Sequence, residues 1–586
     1  MLHLKRLKKF MLVLLILASL PLLASASSIT GYAYSDDVLT LTVIGRVLDS
    51  RDHPVEGAEV RVYFGEDLQP LAVSDQATRV VVTDQQGYYL MDLTASLSQI
   101  ESATVAIEIS NPGFLTTRKG FSRQRVVLSG DRNYVSIEDV VLPRVFNPAF
   151  YLSAAIFVVV FLLISLNLLH ETIAAFLGVA GMLGISYFFG HANSDYWIVG
   201  FQRAVSHIDF DVIFLLMTMM IFMAVMSQTG VFQWLAFRTY SLSGGKSFIV
   251  TLILVCITGL ISAVLNDTTV MLLMAPVSIQ IALALDIHPA AIVVPEVLAS
   301  NIGGAATLIG TPPNTIIGSY VGLSFNQFLG NMVPIALIGM VLLLIMIRRL
   351  YRKEYDRKSK APSAAMLERL EAGAQITDHV LLRRSLIVFG ITLVLFFVAD
   401  LFHMPPAVVA ILGSTALLFW TRPTMGKMLR EVDWTTLVFF MSLFMMVGGL
   451  QEVGLIQLIA EGVSNLAGEN LLLATMMVIW VSAVASAIVA NIPFTAAIVP
   501  VAVFLSRTIP GAENNVLYWA LALGAGLGGN ATYIGSAPNI VAAGILDRAG
   551  YRLKFEEFAR VGVPVTFVTV AVPTIWILIR YFWLKF

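Results

Sequence analysis

Asn301-Ile302-Gly303-Gly304-Ala305-Ala306-Thr307-Leu308-Ile309-Gly310-Thr311-Pro312-Pro313-Asn314 returns later in the chain as Gly526-Leu527-Gly528-Gly529-Asn530-Ala531-Thr532-Tyr533-Ile534-Gly535-Ser536-Ala537-Pro538-Asn539. Both stretches interrupt long apolar segments, 288–322 and 516–546. Glycine lets the backbone take unusual torsions and approach a ligand closely. Proline removes a donor and stops a helix. Each stretch therefore predicts a helix broken inside an apolar segment. In lipid, the backbone groups freed by the break must be met by protein, water or a bound ion. The Thr311 and Ser536 hydroxyls and the Asn314 and Asn539 amides can replace part of an ion's hydration shell. Asn301, Gly303, Gly304, Thr307, Gly310 and Pro313 join them as candidate binding positions. So do Gly528, Gly529, Asn530, Thr532, Gly535 and Pro538 in the second stretch.

The duplication extends outward. A shift of 224 residues carries Asp209 onto Asp433, Gly230 onto Gly454 and Ala236 onto Ala460. The same shift carries Ser262-Ala263 onto Ser486-Ala487 and Pro276-Val277 onto Pro500-Val501. A shift of 230 carries Phe325, Phe328 and Pro334 onto Phe555, Phe558 and Pro564. Two halves with matching interruptions point to a transporter with inverted repeats.

Two apolar pairs, 248–285 and 472–508, read as helical hairpins with polar tips. The first tip is Asn266-Asp267-Thr268-Thr269; the second is Asn491-Ile492-Pro493-Phe494-Thr495. Helix N–H ends favour an anion and carbonyl ends a cation. An acid at membrane depth is costly and marks a functional site by default, which singles out Asp267. Asn266, Thr268, Thr269, Asn491, Pro493 and Thr495 are candidates beside it, and Glu296 is a second candidate for proton or cation coupling. A Na+ ion at Asn266, Asp267, Thr311 and Asn314 is one arrangement of these ligands. No other cofactor is expected.

Composition sets the class. The chain has 586 residues, 57% hydrophobic and 13% charged, where soluble domains carry about a quarter charged. Apolar runs near the ~20-residue spanning length make it a multi-span α-helical membrane protein. A net charge of −1 gives no basic field for nucleic acid. Ten crossings are expected after Phe150, five per half, so the second half starts on the opposite side from the first. With the N-terminal region outside, the segments expected inside are 229–248, 349–382, 422–433 and 547–560. All four are basic, from Arg348 through Lys360 most densely. Segment 229–248 carries Arg238 and Lys246, while its counterpart 452–471 has only Glu452, Glu461 and Glu469 as charges. The positive-inside bias thus inverts between the halves.

The N-terminus reads differently. Lys5, Arg6, Lys8 and Lys9 precede an apolar run and Ala24-Ser25-Ala26, the pattern of a signal peptide (or signal anchor) over 1–26. Residues 38–145 alternate in short polar–apolar segments with turn signals, an extracytoplasmic all-β sandwich. The run Gly45-Arg46-Val47-Leu48-Asp49 … Pro54-Val55-Glu56-Gly57-Ala58 … Thr83-Asp84-Gln85-Gln86-Gly87 resembles the carboxypeptidase regulatory-like β-sandwich. The remaining boundaries are 150–349 for the first repeat, 350–382 for a cytoplasmic basic linker and 383–586 for the second repeat.

From about 150 to 586, the tips and broken-helix stretches resemble the ion transporter superfamily. The likeness is strongest to its branch of arsenite permeases, D-type Na+/H+ antiporters and the pink-eyed dilution protein, with a citrate-transporter-like domain. That resemblance implies substrate and Na+ sites at Asn266, Asp267 and Thr268 with Thr311, Pro313 and Asn314. It implies Asn491 and Thr495 with Ser536, Pro538 and Asn539 in the second half. It also implies a homodimer in the membrane lipid with an elevator-like movement. Two departures matter: the first tip reads Asn266-Asp267 where the pink-eyed dilution pattern has Asp-Asn, and Ala490 stands where the pattern places an acid before Asn491, so only one tip carries a carboxylate. The expected function is a secondary active permease, not an enzyme, for a small inorganic or organic anion coupled to Na+ or H+. The alternative is a Na+/H+ antiporter using Asp267, and behind both stands an anion channel or a non-transporting sensor.

Overall fold

The structure, a computed structural model, describes residues 38–49, 54–64, 69–70, 80–96, 105–111, 113–121, 126–129, 132–136, 139–142, 146–166, 168–357, 375–468 and 470–584. The signal region 1–26 and the linker stretch 358–374 lie outside them. The chain divides into two compact units, an N-terminal β-unit and a helical unit.

The β-unit contains two five-stranded sheets. β1 (Val38–Asp49) pairs antiparallel with β5 (Tyr88–Ser96), and in parallel with β9 (Arg132–Ser136) and β10 (Val140–Leu142). β2 (Glu59–Phe64) and β6 (Val105–Ser110) form the heart of the second sheet. Alternate residues are buried, Val43, Val47 and Met91 in one sheet and Val60, Ile107 and Ile109 in the other. That is the period-two signature of sheets with one covered face. The turn at Asp84–Gly87 closes as its sequence predicts. The Asp84 carboxylate accepts from the Gln86 and Tyr88 N–H groups, and Gly87 takes φ +77° where a Cβ would meet the Val47 carbonyl.

The helical unit consists of two matching sets. The first comprises α1 (Pro148–Ser165), α2 (Glu171–Ile185), α3 (Phe210–Ser227), α4 (Val231–Leu242), α5 (Ser247–Ser262), α6 (Asp267–Ala284), α7 (Ala290–Gly304), α8 (Pro312–Val321) and α9 (Phe325–Leu350). The second comprises α10 (His379–Val398), α11 (Pro406–Thr421), α12 (Trp434–Glu452), α13 (Leu455–Ala467), α14 (Leu471–Ile488), α15 (Asn491–Thr508), α16 (Val516–Gly528), α17 (Ala537–Arg548) and α18 (Phe555–Ile577). Equivalent starts use equivalent devices. Asp209 and Asp433 cap α3 and α12 by accepting from the Val212 and Thr436 N–H groups. Gly230 and Gly454 precede α4 and α13 at φ +75° and +79°.

The two sets interpenetrate. α2 packs on α12 and α11 on α3; α17 packs on α6 and α8 on α15. Each set therefore buries its apolar faces against the other, and neither has a separate core. The first arm of each hairpin stays local, with α5 on α7 and α14 on α16.

Ten helices among the described residues are long and apolar enough to cross a membrane. They are not the ten segments expected from sequence. α6, α14 and α15 qualify by length, whereas the two broken pairs and the expected crossing 405–421 do not, because α7 and α8 have 15 and 10 residues, α16 and α17 have 13 and 12, and α11 has 16. Segments 229–248 and 452–471, read as loops, carry helices α4 and α13. The linker is also narrower than 350–382: a short helix covers Arg352–Tyr355 and α10 already starts at His379, capped by Asp378.

Candidate ion-binding site

Both hairpin tips are laced to the broken-helix loop of their own set, in the same way twice. The Asp267 N–H donates to the Gly310 carbonyl at 3.2 Å, and the Asn491 N–H donates to the Gly535 carbonyl at 3.0 Å. The Thr307 hydroxyl donates to the Ala263 carbonyl, and the Thr532 hydroxyl to the Ala487 carbonyl at 2.6 Å. Each of these hydroxyls also accepts, at 3.1 Å, from the N–H of Gly310 or Gly535. The Asn314 amide nitrogen bridges the Ala305 and Thr307 carbonyls at 3.0 and 2.8 Å. That of Asn539 bridges Gly529 and Thr532, both at 2.8 Å. The freed carbonyls of each break are thus met by side chains, as the apolar surroundings require.

This bracing reassigns several candidate residues. The hydroxyls of Thr307 and Thr532 are committed to backbone, and that of Thr495 donates to its own helix at Asn491. Asn266 is the N-cap of α6, its side-chain oxygen accepting from the Thr269 N–H at 3.2 Å. Gly303 and Gly528 serve close packing rather than a ligand: a Cβ would stand 2.0 Å from the Gly259 carbonyl oxygen or 2.4 Å from that of Ala483. Pro313, Pro538 and Pro493 are buried in the first turns of α8, α17 and α15.

What remains converges on Asp267. The residue is 1% exposed; Oδ1 accepts from the Thr268 N–H at 2.7 Å and from its hydroxyl at 3.3 Å. Oδ2 is buried and faces the Thr311 hydroxyl without a well-formed hydrogen bond. A Cβ built on Gly304 would lie 3.0 Å from the Gly310 oxygen, 3.3 Å from Thr311 Cβ and 3.4 Å from Asp267 Oδ2, so these groups close round one point. Asn314 Oδ1 is also buried without a hydrogen bond. Unpartnered buried oxygens are expensive, a carboxylate oxygen most of all.

Glu296 is fully buried on α7. Oε1 accepts from the Thr258 hydroxyl of α5 at 3.2 Å and Oε2 makes no hydrogen bond. One turn along α7, Ser300 shares a 2.7 Å hydrogen bond with Ser262 and donates to the Asp267 carbonyl at 3.3 Å. Thr258, Ser262 and Ser300 were not among the sequence candidates. Their signal was the i, i+4 spacing of small hydroxyl residues on the apolar helix α5, facing the glycine-rich end of α7.

In the second set the tip residue is Asn491, 3% exposed, with Oδ1 unpartnered but neutral. Its loop is joined to the first set. The Asn301 amide nitrogen lies 2.7 Å from Asn530 Oδ1, 3.0 Å from Ser536 Oγ and 2.9 Å from Asn539 Oδ1.

A hairpin tip bound to a broken helix, built twice around buried polar groups, is the organisation of a transporter, and comparison with known proteins gives its lineage. A family model described as "Citrate transporter" matches residues 159–524. The chain belongs to that family. An uncharacterized transporter of Mycobacterium bovis is 36% identical over 73% of this chain and 98% of its own length. The human P protein is 32% identical over 73% of this chain and 60% of its own length. Among solved structures, the YdaH transporter of Alcanivorax borkumensis aligns over 71% of this chain and 99% of its own with 12% identity and a TM-score of 0.49. As a member of the citrate transporter family, the protein is a multi-pass membrane transporter, and the resemblance drawn from the tips and broken helices holds.

Proposed function

We propose that this chain is a secondary active transporter that moves a small inorganic or organic anion by coupling it to Na+ or H+, with the coupling cation at Asp267. The observation that carries the reading is the Asp267 carboxylate, buried at a helix break with one oxygen unpartnered close to Gly304, Gly310 and Thr311. For the anion, support comes from the N-termini of α8, α15 and α17, none of which has a side-chain cap. The positive end of a helix dipole attracts negative charge, although Pro312, Pro313, Pro493 and Pro538 remove individual N–H donors at these starts. A cation neutralising Asp267 removes the repulsion an anion would otherwise meet, which is a physical basis for coupling. The basic loops support an orientation with 349–382 and 547–560 in the cytoplasm and the β-unit outside. Elevator-like movement of the tips and broken helices, in a homodimer, is the matching transport cycle.

A second reading, Na+/H+ antiport, is favoured by one observation. Asp267 and Glu296 both present buried, unpartnered carboxylate oxygens on neighbouring elements. Proteoliposomes separate the two. Under the favoured reading an imposed Na+ or H+ gradient drives uptake of a labelled anion from a panel of di- and tricarboxylates and oxyanions, and moves no protons without it. Proton movement on a Na+ gradient alone, with no anion dependence, would establish antiport instead.

A further inference from the structure

The two sites differ most where the sets meet. Asn301 reaches from the end of α7 into the second set's loop, where its amide nitrogen faces Asn530 Oδ1, Ser536 Oγ and Asn539 Oδ1 at 2.7 to 3.0 Å. The orientation of the amide is fixed by its neighbours. Asn539 turns its own nitrogen to the Gly529 and Thr532 carbonyls, so it can present only oxygen to Asn301. Asn301 must answer with its NH2 group. Its two protons, carrying partial positive charge, serve three oxygens, and oxygen clusters of this kind hold hard cations.

The equivalent place in the first set has no such group. With the two glycine-rich stretches aligned as they repeat, 225 residues apart, the counterpart of Asn301 is Gly526, and the counterpart of Asn530 is Ala305. These two face each other: a Cβ on Gly526 would lie 3.7 Å from Ala305 Cβ. With no side chain at 526, no amide reaches the first set's loop from that position, and Asn314 Oδ1 makes no hydrogen bond, whereas its counterpart Asn539 Oδ1 accepts from Asn301. The tips match this difference, with Asp267 in one and neutral Asn491 in the other.

We infer that the Asn301 side-chain amide occupies the second set's cation position as an internal surrogate, so the duplicated machinery binds a single coupling cation per chain, in the first set. This rests on the reading of Asp267 as a cation site for its second half only. The surrogate role of Asn301 stands or falls by itself.

The test is equilibrium binding of radioactive sodium to the purified full-length protein in detergent, with monodispersity checked by size exclusion. Wild type is expected to bind one Na+ per chain and Asp267→Asn none. Asn301→Ala, and Asn301→Gly with the residue found at its counterpart, are expected to bind one more than wild type. Two ions in wild type, or no gain in either monodisperse Asn301 variant, overturns the inference. If wild type binds none while an Asn301 variant binds one, the surrogate is upheld and Asp267 holds no Na+, which leaves H+ as its coupling cation. Should neither Asn301 variant be monodisperse, Gly526→Asn decides: an amide placed at the counterpart position is expected to abolish the first set's ion, and an ion that survives it overturns the inference.

Discussion

The two hairpin tips have nearly the same backbone and different chemistry. Asp267 and Asn491 each donate a backbone N–H to the equivalent glycine carbonyl, and Thr307 and Thr532 brace equivalent hairpin carbonyls. Yet one tip carries a buried negative charge with an unpartnered oxygen. The other is neutral, and its loop is filled by an amide from across the interface. The difference teaches that internal duplication preserves the scaffold more strictly than the site. Scaffold contacts are constrained by unsatisfied backbone at every break, whereas ligand positions are free to diverge once one site suffices.

Substitutions that break or sharpen this comparison fall in a clear order. The largest expected effect is from Asp267→Asn. It keeps the shape and removes the charge, and should weaken cation activation of transport at least about tenfold, about 1.4 kcal/mol, as read from the Na+ or H+ dependence of anion uptake. An equal loss from Asn491→Ala would erase the functional asymmetry. Next come the paired glycines. Gly303→Ala and Gly528→Ala place a Cβ against the Gly259 or Ala483 carbonyl, at 2.0 or 2.4 Å, and each should cost about 1–3 kcal/mol as overpacking. Thermal unfolding in detergent checks this, with Gly526→Ala, an ordinary 3.7 Å contact, expected to leave the melting temperature in place. A shift at one glycine only would show that the halves are not mechanically equivalent. The smallest expected effect is at the caps. Asn266→Ala removes the N-cap of α6 and should lower stability by about 1 kcal/mol. Position 490 already lacks a cap, so Ala490→Gly should show no comparable loss from capping.

Much of the architecture was legible because it follows from local rules. Glycine and proline in apolar segments break helices, which located the joints at 305–311 and 529–536. The register of the duplication matched Ala263 with Ala487 and Thr307 with Thr532, and the structure gives the two pairs the same contact. Amphipathic helices were harder. α4 and α13 occupy segments read as loops, since a short half-polar helix at an interface has neither the length nor the apolarity of a span. Side-chain roles were harder still. Nothing in the sequence distinguishes the hydroxyl of Thr495, which bonds its own helix, from that of Thr311, which stands beside Asp267.

The sequence by itself determined that this protein spans membranes as two inverted halves with paired helix breaks and one intramembrane acid at the tips, because hydropathy, helix breakers and loop charge are properties of short segments. Only the tertiary structure decided that the halves exchange helices, that the Asp267 carboxylate keeps an unpartnered oxygen, and that Asn301 crosses between the sets to the oxygens of Asn530, Ser536 and Asn539. The physical reason is that a polar side chain in lipid must find partners, and residues far apart in the chain supply them only once the helices are packed.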